Sequence, residues 1–141
     1  MSDADDADDV ESIREEKLQE LAEQAGGNGE ETAGGRPSEP LHVGNPEEFE
    51  RLVNEHGLVL VDFHAEWCGP CQMMEPAIEA VAEDGPAAVL KVDIDQLQEL
   101  AQQHGIRGVP TLEVYRDGER VEQAVGMKNE DGIRQLVGQY V

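Results

Sequence analysis

Positive charge is scarce in this sequence. Its 141 residues include 10 Lys and Arg against 32 Asp and Glu, so the net charge is −22 at pH 7. Nucleic acids and anionic membranes are held by clusters of Lys and Arg that neutralise phosphate groups. A chain this acidic offers no such cluster, and its composition therefore excludes nucleic acid and membrane surfaces as expected partners.

The acidity extends over the whole chain. Residues 1–40 carry 13 acidic and 3 basic residues, net −10, which leaves −12 for residues 41–141. Uniform acidity with few lysines is typical of proteins from a saline cytoplasm, where dense salt screens the self-repulsion of the compact state. The composition favours a halophilic source. The alternative is an ordinary acidic protein with an acidic tail.

Cysteines and long hydrophobic runs are also scarce. The only cysteines are Cys68 and Cys71, which cannot form the disulfide framework of a small secreted domain. No apolar run approaches the roughly 20 residues that cross a membrane. The acidic start of the chain has neither the basic nor the apolar part of a secretory leader. We therefore expect a cytoplasmic protein.

The chain divides near Pro40 into two parts of different composition. An Asp/Ala run at residues 1–9 and a Gly-rich stretch before Pro40 predict an acidic, largely disordered extension over residues 1–40. Within it, residues 10–25 have the composition of a short, mildly amphipathic helix. From residue 41 onwards Val, Leu and Ile cluster in periodic blocks, which indicates one folded domain over residues 41–141.

Hydrophobic periodicity in this domain predicts alternating strands and helices followed by a terminal hairpin. The predicted strands are 41–43, 58–63, 87–92, 111–115 and 120–125, and the predicted helices are 46–57, 70–84, 96–104 and 129–140. The second strand is almost continuously apolar, whereas 111–115 alternates like a half-exposed strand. This order predicts an α/β fold with a mixed central sheet covered by helices on both faces.

Both cysteines lie in the segment Trp67-Cys68-Gly69-Pro70-Cys71, where a strand gives way to a helix. Their spacing allows a disulfide within one helical turn. A cysteine just before a helix meets unpaired N–H groups that favour the thiolate, so Cys68 is the expected nucleophile. Cys71, one turn further in, should be more buried and act as the resolving thiol.

Half of a zinc site is the alternative interpretation of the cysteine pair. Zinc takes about four ligands. The remaining candidates are histidines at positions 42, 56, 64 and 104, which form no companion motif. The strand-to-helix context favours thiol–disulfide exchange, and no metal site is expected.

The segment from Asp62 to Cys71 resembles the active-site segment of the thioredoxin family. The resemblance recurs at 91–95, 105–111 and 125–126 and covers the chain from about residue 41 onwards. It implies the thioredoxin fold and a protein-disulfide reductase whose redox group is a Cys68–Cys71 disulfide, with no bound cofactor. The Gly-Pro pair between the cysteines resembles the reducing members. A disulfide oxidase or isomerase and a redox-sensing binding module are the alternatives.

The resemblance also assigns roles to further residues. Asp62 lies inside an apolar strand, where an ionised carboxylate needs a partner, and the neighbouring strand carries Lys91. In the family the matching residues form a buried pair whose Asp relays a proton for Cys71. The resemblance makes Pro110 a cis-proline facing the cysteines. The implied substrate-binding surface consists of Trp67, Gly69, Pro70, Gly108, Val109, Pro110 and Gly126.

Two positions depart from the family pattern. His64 stands where an aromatic residue is usual, and it can act either as a charge beside Cys68 or as a packing residue. Gln72 replaces a usual basic residue, which removes a charge that would favour the thiolate. The resemblance implies a flavoprotein partner, thioredoxin reductase, and protein substrates with disulfides. Together with the acidity it suggests a monomeric thioredoxin from a halophilic archaeon.

Overall fold

A computed structural model describes residues 36–141, so most of the predicted acidic extension, including its helix at residues 10–25, lies outside the described residues. Residues 38–141 form one compact unit. Its elements in chain order are β1 (Leu41–His42), α1 (Pro46–Glu55), β2 (Leu58–His64), α2 (Gly69–Asp84), β3 (Ala88–Asp93), α3 (Gln98–Gln103), β4 (Thr111–Arg116), β5 (Glu119–Val125) and α4 (Glu130–Gly138). The predicted order of strands and helices is confirmed.

The five strands form one mixed sheet in the order β1-β3-β2-β4-β5. Both β1 and β2 run parallel to β3, whereas β4 runs antiparallel to β2 and to β5. The central strand is β2, in which Asp62 lies opposite Lys91 of β3 on one side and Leu112 of β4 on the other. The sheet therefore places the predicted Asp–Lys pair on adjacent central strands.

Asparagine side chains cap the N-termini of two of the helices. The Asn45 side chain accepts a hydrogen bond of 2.8 Å from the backbone N–H of Glu48, and Pro46 occupies the first turn of α1. The Asn129 side chain caps α4 in the same way by accepting from the N–H of Gly132. These caps satisfy N–H groups that have no partner within the helix.

Hydrophobic residues fill both sides of the sheet. On one side α1 and α3 cover side chains from β2 and β3, and the helical members of this cluster are Phe49, Leu52, Val53 and Leu100. On the other side α2 and α4 contribute Met74, Ile78, Val81, Ala82, Ile133, Leu136 and Val137. Helices thus cover both faces. Asp62 alternates with Val61 and Phe63 along β2 and shares the α2 face with Leu60.

The expectation that the strand at residues 111–115 is half exposed is wrong. Every residue from Thr111 to Tyr115 is buried, including the charged Glu113. The strand lies inside the sheet between β2 and β5, and both its faces are covered. Its polar alternation reflects a buried hydrogen-bond network around Glu113 instead of contact with solvent.

Within residues 36–141, none of the helices combines the length and apolar character needed to cross a membrane.

Candidate active site

A disulfide joins Cys68 and Cys71 at the start of α2, with their Cα atoms 5.3 Å apart. Cys68 is the N-cap residue, and its Sγ accepts the backbone N–H of Cys71 at 3.1 Å. Gly69 and Pro70 form the first turn between them. The positive end of a helix favours negative charge on an adjacent group. The fold therefore provides, at the Cys68 sulfur, the environment that favours a thiolate after reduction.

The two cysteines do not differ in burial as expected. Cys68 is 4% exposed and Cys71 3% in the disulfide. The Cys68 side chain turns inward to reach Cys71, and both sulfurs pack with Ala65 against the half-buried Ile94 and Val109. The disulfide bond holds both sulfurs in the same apolar environment. The expectation from the sequence pattern did not include this effect.

The predicted pair of Asp62 and Lys91 is present below α2. Lys91 Nζ lies 3.2 Å from Asp62 Oδ2, and the side chains are 3% and 1% exposed. The other carboxylate oxygen, Oδ1, is buried without a hydrogen-bond partner among residues 36–141. Burial raises the pKa of Asp62 above its ordinary value, and the nearby Lys91 ammonium offsets this in part. Asp62 thus keeps a proton to a higher pH than an exposed aspartate does.

Sequence reasoning missed a second carboxylate at this pair. The Glu75 side chain of α2 also contacts Lys91 Nζ, from the side opposite the sheet. Glu75 stands four residues after Cys71, one helical turn further along. That spacing was a signal that its side chain shares a face with Cys71 and points towards the same part of the sheet.

His64 and Gln72, the two departures from the family pattern, occupy different surroundings. His64 is half-buried at the end of β2, and its pKa lies below the ordinary value because of burial and then the nearby Lys91 charge. A neutral imidazole at pH 7 gives no positive charge to a Cys68 thiolate. Gln72 is exposed and donates a hydrogen bond of 2.7 Å to the Glu66 carbonyl.

A loop before β4 faces the disulfide. The peptide bond between Val109 and Pro110 is cis, as the resemblance implies. The Val109 carbonyl oxygen lies 3.7 Å from Cys68 Sγ. The Gly126 N–H donates to the Pro110 carbonyl at 2.9 Å, and Gly126 has a φ of +104°, which favours glycine. The loop at Val109 therefore lies against Cys68, and the segment at Gly126 is hydrogen-bonded to this loop.

The predicted substrate-binding residues differ in their access to solvent. The exposed members are Trp67, Gly69, Pro70 and Gly108. The half-buried members are Val109 and Gly126, and Pro110 is buried. The Trp67 indole N–H donates to Asp95 Oδ2 at 2.8 Å, a contact not foreseen from the sequence. Met73, two residues after Cys71 on α2, is a second large exposed hydrophobic side chain. An exposed apolar surface next to a reactive pair is typical of a docking site.

Across residues 36–141 no group of three or more His, Cys, Asp and Glu side chains is arranged to hold a metal ion. The cysteine pair itself supplies chemistry, because two sulfurs that can be bonded or reduced exchange two electrons with a second disulfide. A pair of this kind at a strand-to-helix junction of a mixed, helix-covered sheet defines the class of dithiol–disulfide oxidoreductases.

Comparison with known proteins gives the family. The family model described as Thioredoxin matches residues 40–139, and the chain belongs to the thioredoxin family. The thioredoxin of Chlamydia trachomatis is 46% identical over 85 residues, which cover 60% of this chain and 83% of that protein. The thioredoxin of Bacillus subtilis is 40% identical over 87 residues, covering 60% and 84%.

A solved structure of a mutant thioredoxin from Halobacterium salinarum NRC-1 superposes with a TM-score of 0.73 at 47% identity. The superposition covers 75% of this chain and 94% of the Halobacterium chain. The fold is thus the thioredoxin fold. The chain is a protein-disulfide reductase of this family, and its redox group is the Cys68–Cys71 disulfide, since thioredoxins use their own disulfide in place of a bound cofactor.

Proposed function

We propose that Cys68 is the nucleophile, Cys71 the resolving thiol and Asp62 the proton relay with which this chain reduces disulfides of other proteins. The observation that carries the proposal is the position of the disulfide at the start of α2, with the buried Asp62–Lys91 pair on the sheet face that α2 covers. The active domain is residues 41–141, and residues 1–40 form an acidic extension.

The reaction begins with the reduced pair. The Cys68 thiolate attacks one sulfur of the substrate disulfide, a mixed disulfide forms, and the departing substrate sulfur takes up a proton. Cys71 then gives its proton to Asp62 and attacks Cys68 Sγ, the second substrate sulfur leaves and takes up a proton from water, and Asp62 releases its proton to water. Two electrons pass to the substrate, and the chain ends as the Cys68–Cys71 disulfide.

Substrate proteins dock beside the cysteines. The surface is formed by Trp67, Gly69, Pro70, Gly108, Val109, Pro110 and Gly126. Exposure of Trp67 and the proximity of the Val109 carbonyl to Cys68 Sγ support this assignment. The Val109 backbone would pair with an extended substrate segment as a short added strand. This contact would hold the substrate sulfur in line with Cys68.

The proposed setting is the cytoplasm of a halophilic archaeon, where thioredoxin reductase returns the disulfide to the dithiol and the chain acts as a monomer. The net charge of −12 over residues 41–141 supports the saline environment. Similarity to the Halobacterium salinarum thioredoxin supports it too. The partner assignment follows the family, whose members normally work with this reductase and with disulfide substrates.

A redox titration of the cysteine pair in molar KCl tests the reductase. We expect a two-electron transition at or below about −250 mV, close to the value of roughly −270 mV for thioredoxin. A potential above about −200 mV would favour an oxidase or isomerase.

Trapping of the intermediate tests the roles of the two cysteines. Cys71→Ser should accumulate a mixed disulfide with an oxidised protein substrate, because the resolving thiol is missing. Cys68→Ser should accumulate none. Mass spectrometry after an acid quench measures both, and equal trapping by the two variants contradicts the assignment.

A further inference from the structure

Lys91 lies between two carboxylates that belong to different layers of the fold. Asp62 of β2 contacts its ammonium within the sheet, and Glu75 of α2 contacts the same nitrogen from the helix side. Lys91 itself is 3% exposed. One positive charge thus faces two negative charges, so the ammonium cannot fully compensate both of them in this low-dielectric region.

The two carboxylates differ in their contact with water. The Glu75 side chain is 35% exposed and, with Lys91, lines a cavity of about 510 Å³ that Glu79 also borders. Asp62 is 1% exposed, and its Oδ1 has no hydrogen-bond partner among residues 36–141. Water can solvate the charge on Glu75, whereas the charge on Asp62 depends on Lys91.

We propose that Glu75 is a positioning residue for the proton relay: its carboxylate holds the Lys91 ammonium and so limits how strongly this ammonium stabilises the ionised form of Asp62. The inference rests on the proposed function of Asp62 as the proton acceptor of Cys71. A base that is fully compensated by a lysine takes up a proton poorly. Sharing Lys91 with Glu75 keeps Asp62 basic.

Three titratable or charged groups face Asp62 from the elements packed around it: Lys91 on β3, Glu75 on α2 and His64 on β2 itself. The Lys91 charge lowers the pKa of Asp62, a protonated His64 lowers it further, and the Glu75 charge raises it. Burial and then the Lys91 charge lower the pKa of His64 itself, so its charge acts on Asp62 mainly at acid pH. Removing the Glu75 charge should therefore lower the pKa of Asp62.

The test compares Glu75→Gln with Glu79→Gln in the full chain. Both substitutions remove one negative charge from α2 beside the same cavity, but only Glu75 contacts Lys91. Carbon-13 NMR titration of the Asp62 carboxyl in the oxidised protein should give a lower pKa in Glu75→Gln than in the unsubstituted protein. Glu79→Gln should leave that pKa within a few tenths of a unit of the unsubstituted protein. Equal shifts in the two variants would overturn the inference.

Kinetics separate this inference from the proposed function. With an oxidised peptide disulfide as substrate, the pH profile of mixed-disulfide decay should move to lower pH in Glu75→Gln by the amount of the NMR shift. The rate of Cys68 attack should not change. Asp62→Asn should slow the decay; if it does not, the proton relay itself is wrong. If Asp62→Asn slows decay but Glu75→Gln moves neither the pKa nor the profile, the Glu75 inference alone fails.

Discussion

The pKa values of two buried carboxylates in this domain are shifted in opposite directions. Burial raises the pKa of Asp62, and the Lys91 ammonium offsets this increase only in part. Burial also acts to raise the pKa of Glu113, but hydrogen bonds from His104, Tyr115 and Gln123 outweigh it and leave this pKa below the ordinary value. The number of hydrogen-bond donors that reach each carboxylate decides the direction of its pKa shift. The raised pKa of Asp62 supports the proton relay proposed for it, whereas Glu113 carries its charge within a buried hydrogen-bond network.

Asp62→Asn should stabilise the folded protein at neutral and alkaline pH. Because the folded-state pKa of Asp62 is raised, its favourable contribution is complete below the unfolded pKa and is lost as the pH rises through the folded pKa. The neutral Asn avoids this loss, and Lys91 keeps Glu75 as a partner. The expected gain in unfolding free energy at pH 8 is about 1.4 kcal/mol for each unit of the pKa elevation.

Urea unfolding from pH 4.5 to pH 8.5 in molar KCl measures this gain. The exposed Asp131 provides the control, since Asp131→Asn changes the net charge equally at the surface. A stability difference that stays constant across the pH range, or that grows towards acid, contradicts the raised pKa of Asp62.

The β4–β5 hairpin is held at both ends by local and long-range contacts. Asp117 and Gly118, with φ of +54° and +86°, form the turn. Further along, Glu113 accepts hydrogen bonds from Tyr115 Oη at 2.8 Å, Arg120 at 3.0 Å and Gln123 at 2.9 Å. His104 Nδ1 after α3 lies 2.9 Å from the same carboxylate. One side chain thus links β4, β5 and the end of α3.

Glu113→Gln should destabilise the fold by about 1–3 kcal/mol at pH 7, because charge-assisted hydrogen bonds become neutral ones. The lowered pKa of Glu113 means that its contribution is present above the unfolded pKa and is lost as the pH falls through the folded pKa. The difference between variant and unsubstituted protein should therefore shrink below about pH 4.

Chemical unfolding at several pH values checks this prediction. Glu119→Gln on the same hairpin is the matched control, because Glu119 is exposed. A loss of stability in Glu113→Gln that is no larger than in Glu119→Gln would show that the charge of Glu113 adds nothing to the buried network.

At the scale of the whole molecule, self-repulsion is the dominant electrostatic feature. The net charge is −22, and more than half of it belongs to residues 41–141. The range of surface electrostatics falls from about 10 Å at 0.1 M salt to about 3 Å at 1 M. Salt therefore removes most of the repulsion between separated carboxylates and leaves buried pairs largely unchanged.

The free energy of unfolding should rise steadily between 0.1 M and 2 M KCl, as measured by thermal or urea unfolding. A variant with the exposed residues Glu79, Glu99 and Glu119 replaced together by Lys should show a smaller rise, because less repulsion remains to be screened. A protein equally stable at both salt concentrations, or an unchanged salt dependence in the triple variant, contradicts a halophilic adaptation.

The sequence by itself determined the features that depend on neighbouring residues. Asn45 and Pro46 predict the start of α1, Asp117 and Gly118 predict the hairpin turn, and the Cys68–Cys71 spacing predicts a disulfide at the start of α2. All of these are present. Such features follow from backbone geometry and hydrogen bonds within a few residues, which a sequence displays directly.

Only the tertiary structure decided which distant side chains meet. Glu75 contacts Lys91 across 16 positions, Trp67 donates to Asp95 across 28, and Glu113 is buried although its strand alternates like an exposed one. Each outcome depends on how the helices and strands pack. The same local sequence pattern is compatible with a polar residue that is exposed to solvent and with one that is buried in a hydrogen-bond network. The charge environment of the active site is therefore a property of the folded domain.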